Sequence, residues 1–102
     1  MSQWKSIAKT SDLAPGQGKQ FNVDGQNIAV FNVDGKFCAI HNECTHAGAS
    51  LADGELAGRV ITCPWHGASF DVTSGKVLAE PAYEDVNSYK VKVEGGEILV
   101  EI

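Results

Sequence analysis

At 102 residues the chain has room for one small domain and not for two independent cores. Eight Lys+Arg against thirteen Asp+Glu leave a net charge of −5, which argues against binding nucleic acid or docking on anionic membranes, since both need clustered cations. Mean hydropathy is −0.12 and no apolar run nears the roughly 20 residues that span a bilayer; Met1 to Leu13 hold no signal-type hydrophobic stretch, so a cytoplasmic location is expected.

In chain order, Trp4 reads as core or edge packing, and Asp12–Gly16 as a brief helical turn stopped by Pro15-Gly16. Asp24-Gly25 separates two strand-like runs, Lys19–Val23 and Gln26–Val33. Asp34-Gly35 separates the second of these from Lys36–Ile40. Such dipeptides tolerate the positive φ of primed hairpin turns. Cys38 lies inside this last run and reads as a buried structural thiol. From His41 to Gly58 the alternation fails and small residues dominate. A short hairpin is expected around Arg59–Thr62, then a second irregular patch from Pro64 to Ala68. Ser69–Val72 and Lys76–Leu78 are short strands joined at Ser74-Gly75. Ser88–Glu94 alternates cleanly through Tyr89, Val91 and Val93, and Gly95-Gly96 turns it into Glu97–Ile102. The chain therefore reads as one all-β domain of eight to ten short strands, without a helix longer than a turn or two.

Both irregular loops carry Cys and His. Three cysteines make a poor disulfide framework and direct attention to metal binding. The pattern is Cys44-Thr45-His46, sixteen residues, then Cys63-Pro64-Trp65-His66. These spacings let one thiolate and one imidazole of each loop converge on one site. Two sulfurs and two nitrogens suit zinc or an iron–sulfur cluster. Zinc sites commonly bring like ligands from each arm; here each arm brings one of each. A binuclear [2Fe–2S] centre accounts for that, with Cys44 and Cys63 on one iron and His46 and His66 on the other.

Cys44-Thr45-His46 with Cys63-Pro64-Trp65-His66-Gly67 resembles the Rieske signature. Gly54 through Gly58 resembles the family's polar turn between the loops. Ser69-Phe70-Asp71 and Ser74-Gly75 resemble the strand and turn after the second loop, and Glu80-Pro81-Ala82 its proline loop. The resemblance implies an antiparallel β-sandwich of Rieske type over residues 1–102. In it, 1–40 and 79–102 form the base and 41–78 a cluster-binding subdomain of two loops. It implies one [2Fe–2S] cluster held by Cys44, His46, Cys63 and His66. Gly48 and Gly67 are expected to let amides approach cluster sulfurs. Ala47, Leu51, Pro64, Trp65 and Pro81 are expected to form an apolar docking rim, with Trp65 divided between packing and partner contact. His41 is expected at the surface or behind a ligand. Glu43, Asp53 and the acidic C-terminal half read as solvated charge.

Within the family, membrane cytochrome subunits carry an extra disulfide between the loops; the corresponding positions here look like Ala49 and Trp65, so that clamp is absent. High-potential members place serine and tyrosine hydroxyls where this chain has Ala68 and Phe70. Losing those donors lowers the potential, toward about −150 mV at the low end of the Rieske range. The implied function is that of a soluble monomeric ferredoxin, an electron carrier and not itself an enzyme. Its partners would be a flavoprotein NAD(P)H-dependent ferredoxin reductase and a terminal Rieske oxygenase of an aromatic-ring dioxygenase system. Two other readings are a small Rieske subunit of an assimilatory nitrite reductase and a redox or iron sensor.

Overall fold

The computed structural model describes residues 3–43, 50–64, 68–79 and 85–102. Eleven strands run through them: β1 (Trp4–Lys9), β2 (Gly18–Val23), β3 (Gln26–Val33), β4 (Lys36–His41), β5 (Glu55–Ala57), β6 (Val60–Thr62), β7 (Ser69–Asp71), β8 (Val77–Ala79), β9 (Ser88–Tyr89), β10 (Val91–Glu94) and β11 (Glu97–Glu101). Two short 3₁₀ turns, Thr10–Asp12 and Leu51–Asp53, are the only helical elements among the described residues. The strands form three antiparallel sheets, ordered β1-β11-β10, β2-β3-β4-β9 and β5-β6-β7-β8.

The β2-β3-β4 meander follows from its turns. Asp24 and Gly25 have φ of 52° and 80°, Asp34 and Gly35 of 52° and 92°. Positive φ at both turn positions matches the right-handed twist of the flanking strands, and Asp and Gly accept it at low cost.

The middle sheet is covered on both faces. Ile28, Val30 and Ala39 pack with Leu13, Ile98 and Val100 in one core. Ala29, Phe31, Cys38 and Ile40 point the other way, into a core with Leu51, Ile61, Cys63, Ala68, Phe70, Val72 and Val86. Hence Ile28-Ala29-Val30-Phe31 is an unbroken apolar run, since neither side chain series meets water. Each large side chain of these cores contributes about 1.5–3 kcal/mol of transfer free energy.

Three expectations change. The helical turn forms at Thr10–Asp12, upstream of Asp12–Gly16. Asp12 accepts the Lys9 amide at 2.9 Å, while Leu13 is drawn extended into the core. Buried Asn32 then holds the following segment, donating to the Leu13 carbonyl at 2.9 Å and accepting the Gly16 amide on its own carbonyl at 2.8 Å. Second, Ser88–Glu94 is not one strand. Tyr89 pairs with Ala39 in the middle sheet, whereas Val91 pairs with Val100 in the β1 sheet. Lys90 is the crossing point, and its carbonyl accepts the Glu101 amide at 2.9 Å. Third, a strand the sequence pattern did not show begins at Trp4; the residue itself lies on an edge, as expected, 37% exposed, with the Lys92 ammonium 4.5 Å from its ring.

Candidate metal centre

The first Cys/His loop leaves from the end of β4, and its stem is closed by Asn42. This residue is 1% exposed. Its Nδ2 donates to Ser50 Oγ at 3.0 Å, and its Oδ1 accepts the Ala52 amide at 3.0 Å and the Ser50 hydroxyl at 3.3 Å. The Asn42 carbonyl accepts the Leu51 amide at 2.7 Å, and Glu43 bridges Ser50. The chain therefore leaves at 43 and returns at 50 in fixed register.

The second loop is closed the same way by backbone alone. Thr62 at the end of β6 pairs with Ser69 at the start of β7. One residue inward, the Cys63 amide donates to the Ala68 carbonyl at 2.6 Å. The strand that follows the first stem, β5, runs against the second, with Glu55 paired to Thr62. A Cβ at Gly54 would collide with the Thr62 carbonyl, so only glycine allows this approach. A cavity of about 310 Å³ beside Cys63 is lined by Asp53, Gly54, Glu55, Thr62 and Pro64.

Asp71 braces the far end of this sheet. Its Oδ1 accepts the Thr73 hydroxyl at 2.6 Å and the Thr73 amide at 2.8 Å; Arg59 Nε lies 3.3 Å from Oδ2. Burial alone would raise its pKa, but the Thr73 hydrogen bonds and the Arg59 charge hold the carboxyl below its usual range. The Val72 amide also donates to the Arg59 carbonyl at 2.8 Å, so the β5-β6 and β7-β8 turns are locked together.

Of the four expected ligands, the described residues contain Cys63, whose side chain is 2% exposed. Cys44, His46 and His66 lie outside the described residues, as do Ala47, Gly48, Trp65, Gly67 and Pro81. Pro64 is exposed at the start of the second loop, consistent with a rim. Leu51 is not part of a rim. It is fully buried against the core under the loop stems, because the 3₁₀ turn Leu51–Asp53 points it inward. Ala68 and Phe70 are fully buried beside Cys63 in the same core. His41 is half-buried at the end of β4, its amide donating to the Asn87 carbonyl at 2.8 Å. Cys38 is buried as expected, and burial pushes its thiol pKa up.

The residues present fit a [2Fe–2S] group. The donor set expected from the sequence, two thiolates and two imidazoles, would be that of a Rieske centre. Cys63 is held at a closed stem, and β5, which follows the stem of the first Cys/His loop, pairs with the strand that leads into it. Asn42 and Asp71 did not stand out in the sequence. A signal exists for Asp71, in the Asp-Val-Thr spacing of an Asx turn; Asn42 is one polar residue among many.

Comparison with known proteins agrees. The model of the Rieske [2Fe-2S] domain matches residues 3–90. The ferredoxin component of the naphthalene 1,2-dioxygenase system of Pseudomonas putida is 35% identical over 100 residues, covering 98% of this chain and 96% of the relative. The ferredoxin of carbazole 1,9a-dioxygenase from Nocardioides aromaticivorans IC177 superposes with a TM-score of 0.92 at 37% identity, covering 96% of both chains. A chain from the complex of reduced oxygenase and oxidized ferredoxin in carbazole 1,9a-dioxygenase superposes with a TM-score of 0.90 at 37% identity, covering 95% of this chain and 91% of that one. The chain belongs to the Rieske [2Fe–2S] domain family, whose cofactor is one [2Fe–2S] cluster.

Proposed function

We propose that this protein is a one-electron carrier that takes electrons from a flavin-dependent NAD(P)H reductase and delivers them to a terminal Rieske oxygenase of an aromatic-ring dioxygenase system. The observation that supports this most is the end-to-end match to ferredoxin components, which covers 98% of the chain and 96% of the relative. The relatives named above favour this reading over a bound nitrite reductase subunit. In this reading the protein is a cytoplasmic monomer.

Cys44 and Cys63 would hold one iron, and His46 and His66 the other. When bound, the cluster supplies a one-electron redox couple. The protein's part is to hold that group at a dry, closed stem and to present its histidine side to partners. Residues 41–78 form the cluster-binding part, and 1–40 with 79–102 the base. Pro64, Trp65, Ala47 and Pro81 would make an apolar rim, which suits brief docking. Gly48 and Gly67 let backbone amides approach.

Two measurements test this. The purified protein should be red-brown, with the EPR spectrum of a mixed Cys/His-ligated [2Fe–2S] centre after reduction; His66→Ala should abolish it. A colourless zinc-containing protein overturns the ligand reading. In a reconstituted assay, NAD(P)H consumption by the reductase should couple to oxygenase turnover only when this protein is added. A cluster that cannot be reduced by such a reductase overturns the carrier reading alone.

A further inference from the structure

Away from the candidate centre lies a groove of about 530 Å³, lined by Trp4, Lys36 to Ala39, Thr73 and Ser88 to Val91. Its size lies within the roughly 300–1,000 Å³ of small-molecule sites. It exists because the middle sheet comes apart there. β9 pairs with β4 only at Ala39 and Ile40, and at Lys90 the chain departs for the other sheet. Among the described residues, the edge of β4 from Lys36 to Cys38 has no paired strand.

The direction of the backbone at that edge follows from the ladder. The His41 amide donates outward, to the Asn87 carbonyl at 2.8 Å. In an antiparallel strand the outward-facing groups recur at every second residue. Ala39 is next and is opposed by Tyr89. Phe37 follows, so its N–H and C=O open on the groove, with no strand opposite among the described residues. Trp4, Phe37, Tyr89 and Val91 supply apolar and aromatic wall.

The charge of the groove runs against that of the molecule. The chain holds thirteen acidic and eight basic residues, yet the lining includes Lys36 and Lys90 and no Asp or Glu. Lys36 acts electrostatically on the Cys38 thiol at the floor, lowering its pKa against the effect of burial. The one acidic group that also reaches this thiol, Asp71, is engaged by Arg59 and Thr73.

The geometry points to a binding site for a one-ring aromatic carboxylate, its ring against Trp4 and Tyr89 and its carboxylate at Lys36, Lys90 and the Phe37 amide. This site is independent of the electron-carrier reading. A charge-assisted contact to two ammonium groups and a backbone donor gives the anion its preference over a neutral ring of equal size. Apolar wall excludes simple inorganic anions from most of the volume.

The test uses the intact, cluster-loaded protein with benzoate as the probe. Binding is followed by amide chemical shifts in ¹⁵N NMR. Benzoate should bind saturably and shift the amides of Phe37, Tyr89 and Lys90 first. Benzamide, neutral and nearly isosteric, should bind at least ~10-fold more weakly, as expected for loss of about 1.4 kcal/mol. Lys36→Gln with Lys90→Gln should weaken benzoate at least ~10-fold while leaving the cluster spectrum unchanged; both residues are exposed, so the fold tolerates the change. Trp4→Ala should weaken benzoate and benzamide alike. The proposal is overturned if binding is not saturable, if the shifted amides lie elsewhere, or if benzamide binds as well as benzoate. It is also overturned if the double lysine variant keeps full affinity.

Discussion

Asp71 shows at the residue scale how one polar side chain can hold two turns. Its folded pKa is depressed, so the stability it adds is complete above the ordinary carboxylate value of about 4 and is lost as pH falls through the lower folded value. The exposed Arg59 guanidinium adds little of this; the two Thr73 hydrogen bonds add most. Asp71→Asn should cost about 1–3 kcal/mol at pH 7, read as a lower urea midpoint, with the gap from the parent narrowing near pH 2. An equal gap at both pH values would show that the charge plays no part. Ala68 and Phe70 raise a second point. Neither side chain can donate a hydrogen bond to a sulfur, which suits a potential near −150 mV. Ala68→Ser with Phe70→Tyr should raise the potential by about 50 mV, the one-electron equivalent of roughly one net hydrogen bond. A parent value above about +100 mV would overturn the low-potential reading.

At the scale of elements, the hairpins were legible and the loop stems were not. Asp24-Gly25 and Asp34-Gly35 specify their turns through φ, a property of two adjacent residues. The Asn42 clasp depends on Ser50 and Ala52, eight and ten residues away, and nothing local distinguishes Asn42 from any solvated polar residue. Asn42→Ala would leave the Ala52 amide and the Ser50 hydroxyl without their buried partner, a loss of about 2–3 kcal/mol. Iron should be released faster from this variant than from the parent on exposure to a chelator, while the far-UV β-sheet signal is retained. A chelation rate equal to the parent's would show that the clasp does not restrain the first loop. The break at Lys90 was hidden for another reason: alternation continues through Tyr89, Val91 and Val93 although the pairing partner changes. A period of two reports which side chains are buried, not which sheet buries them.

For the whole molecule, charge has two separate consequences. The net −5 should steer the protein toward basic surfaces on its redox partners. The association rate should fall roughly 10-fold or more between 20 mM and 0.5 M salt, as screening shortens to a few ångströms. A rate that does not change would show that steering by charge is unimportant. The groove at the split edge of the middle sheet is a local exception, with two lysines and no acid among its lining residues.

The family, the all-β class and the main hairpins were legible in the sequence, because hairpin turns and Cys-x-His or Cys-x-x-His motifs are short-range features. Long-range packing settles that Leu51 is core and not rim, that Asn42 fastens the first loop stem, that Asp71 reaches Arg59, and that the strand from Ser88 divides between two sheets. Apart from the local Asp71–Thr73 turn, these depend on partners distant in sequence, brought together when the two cores close on opposite faces of the same sheet.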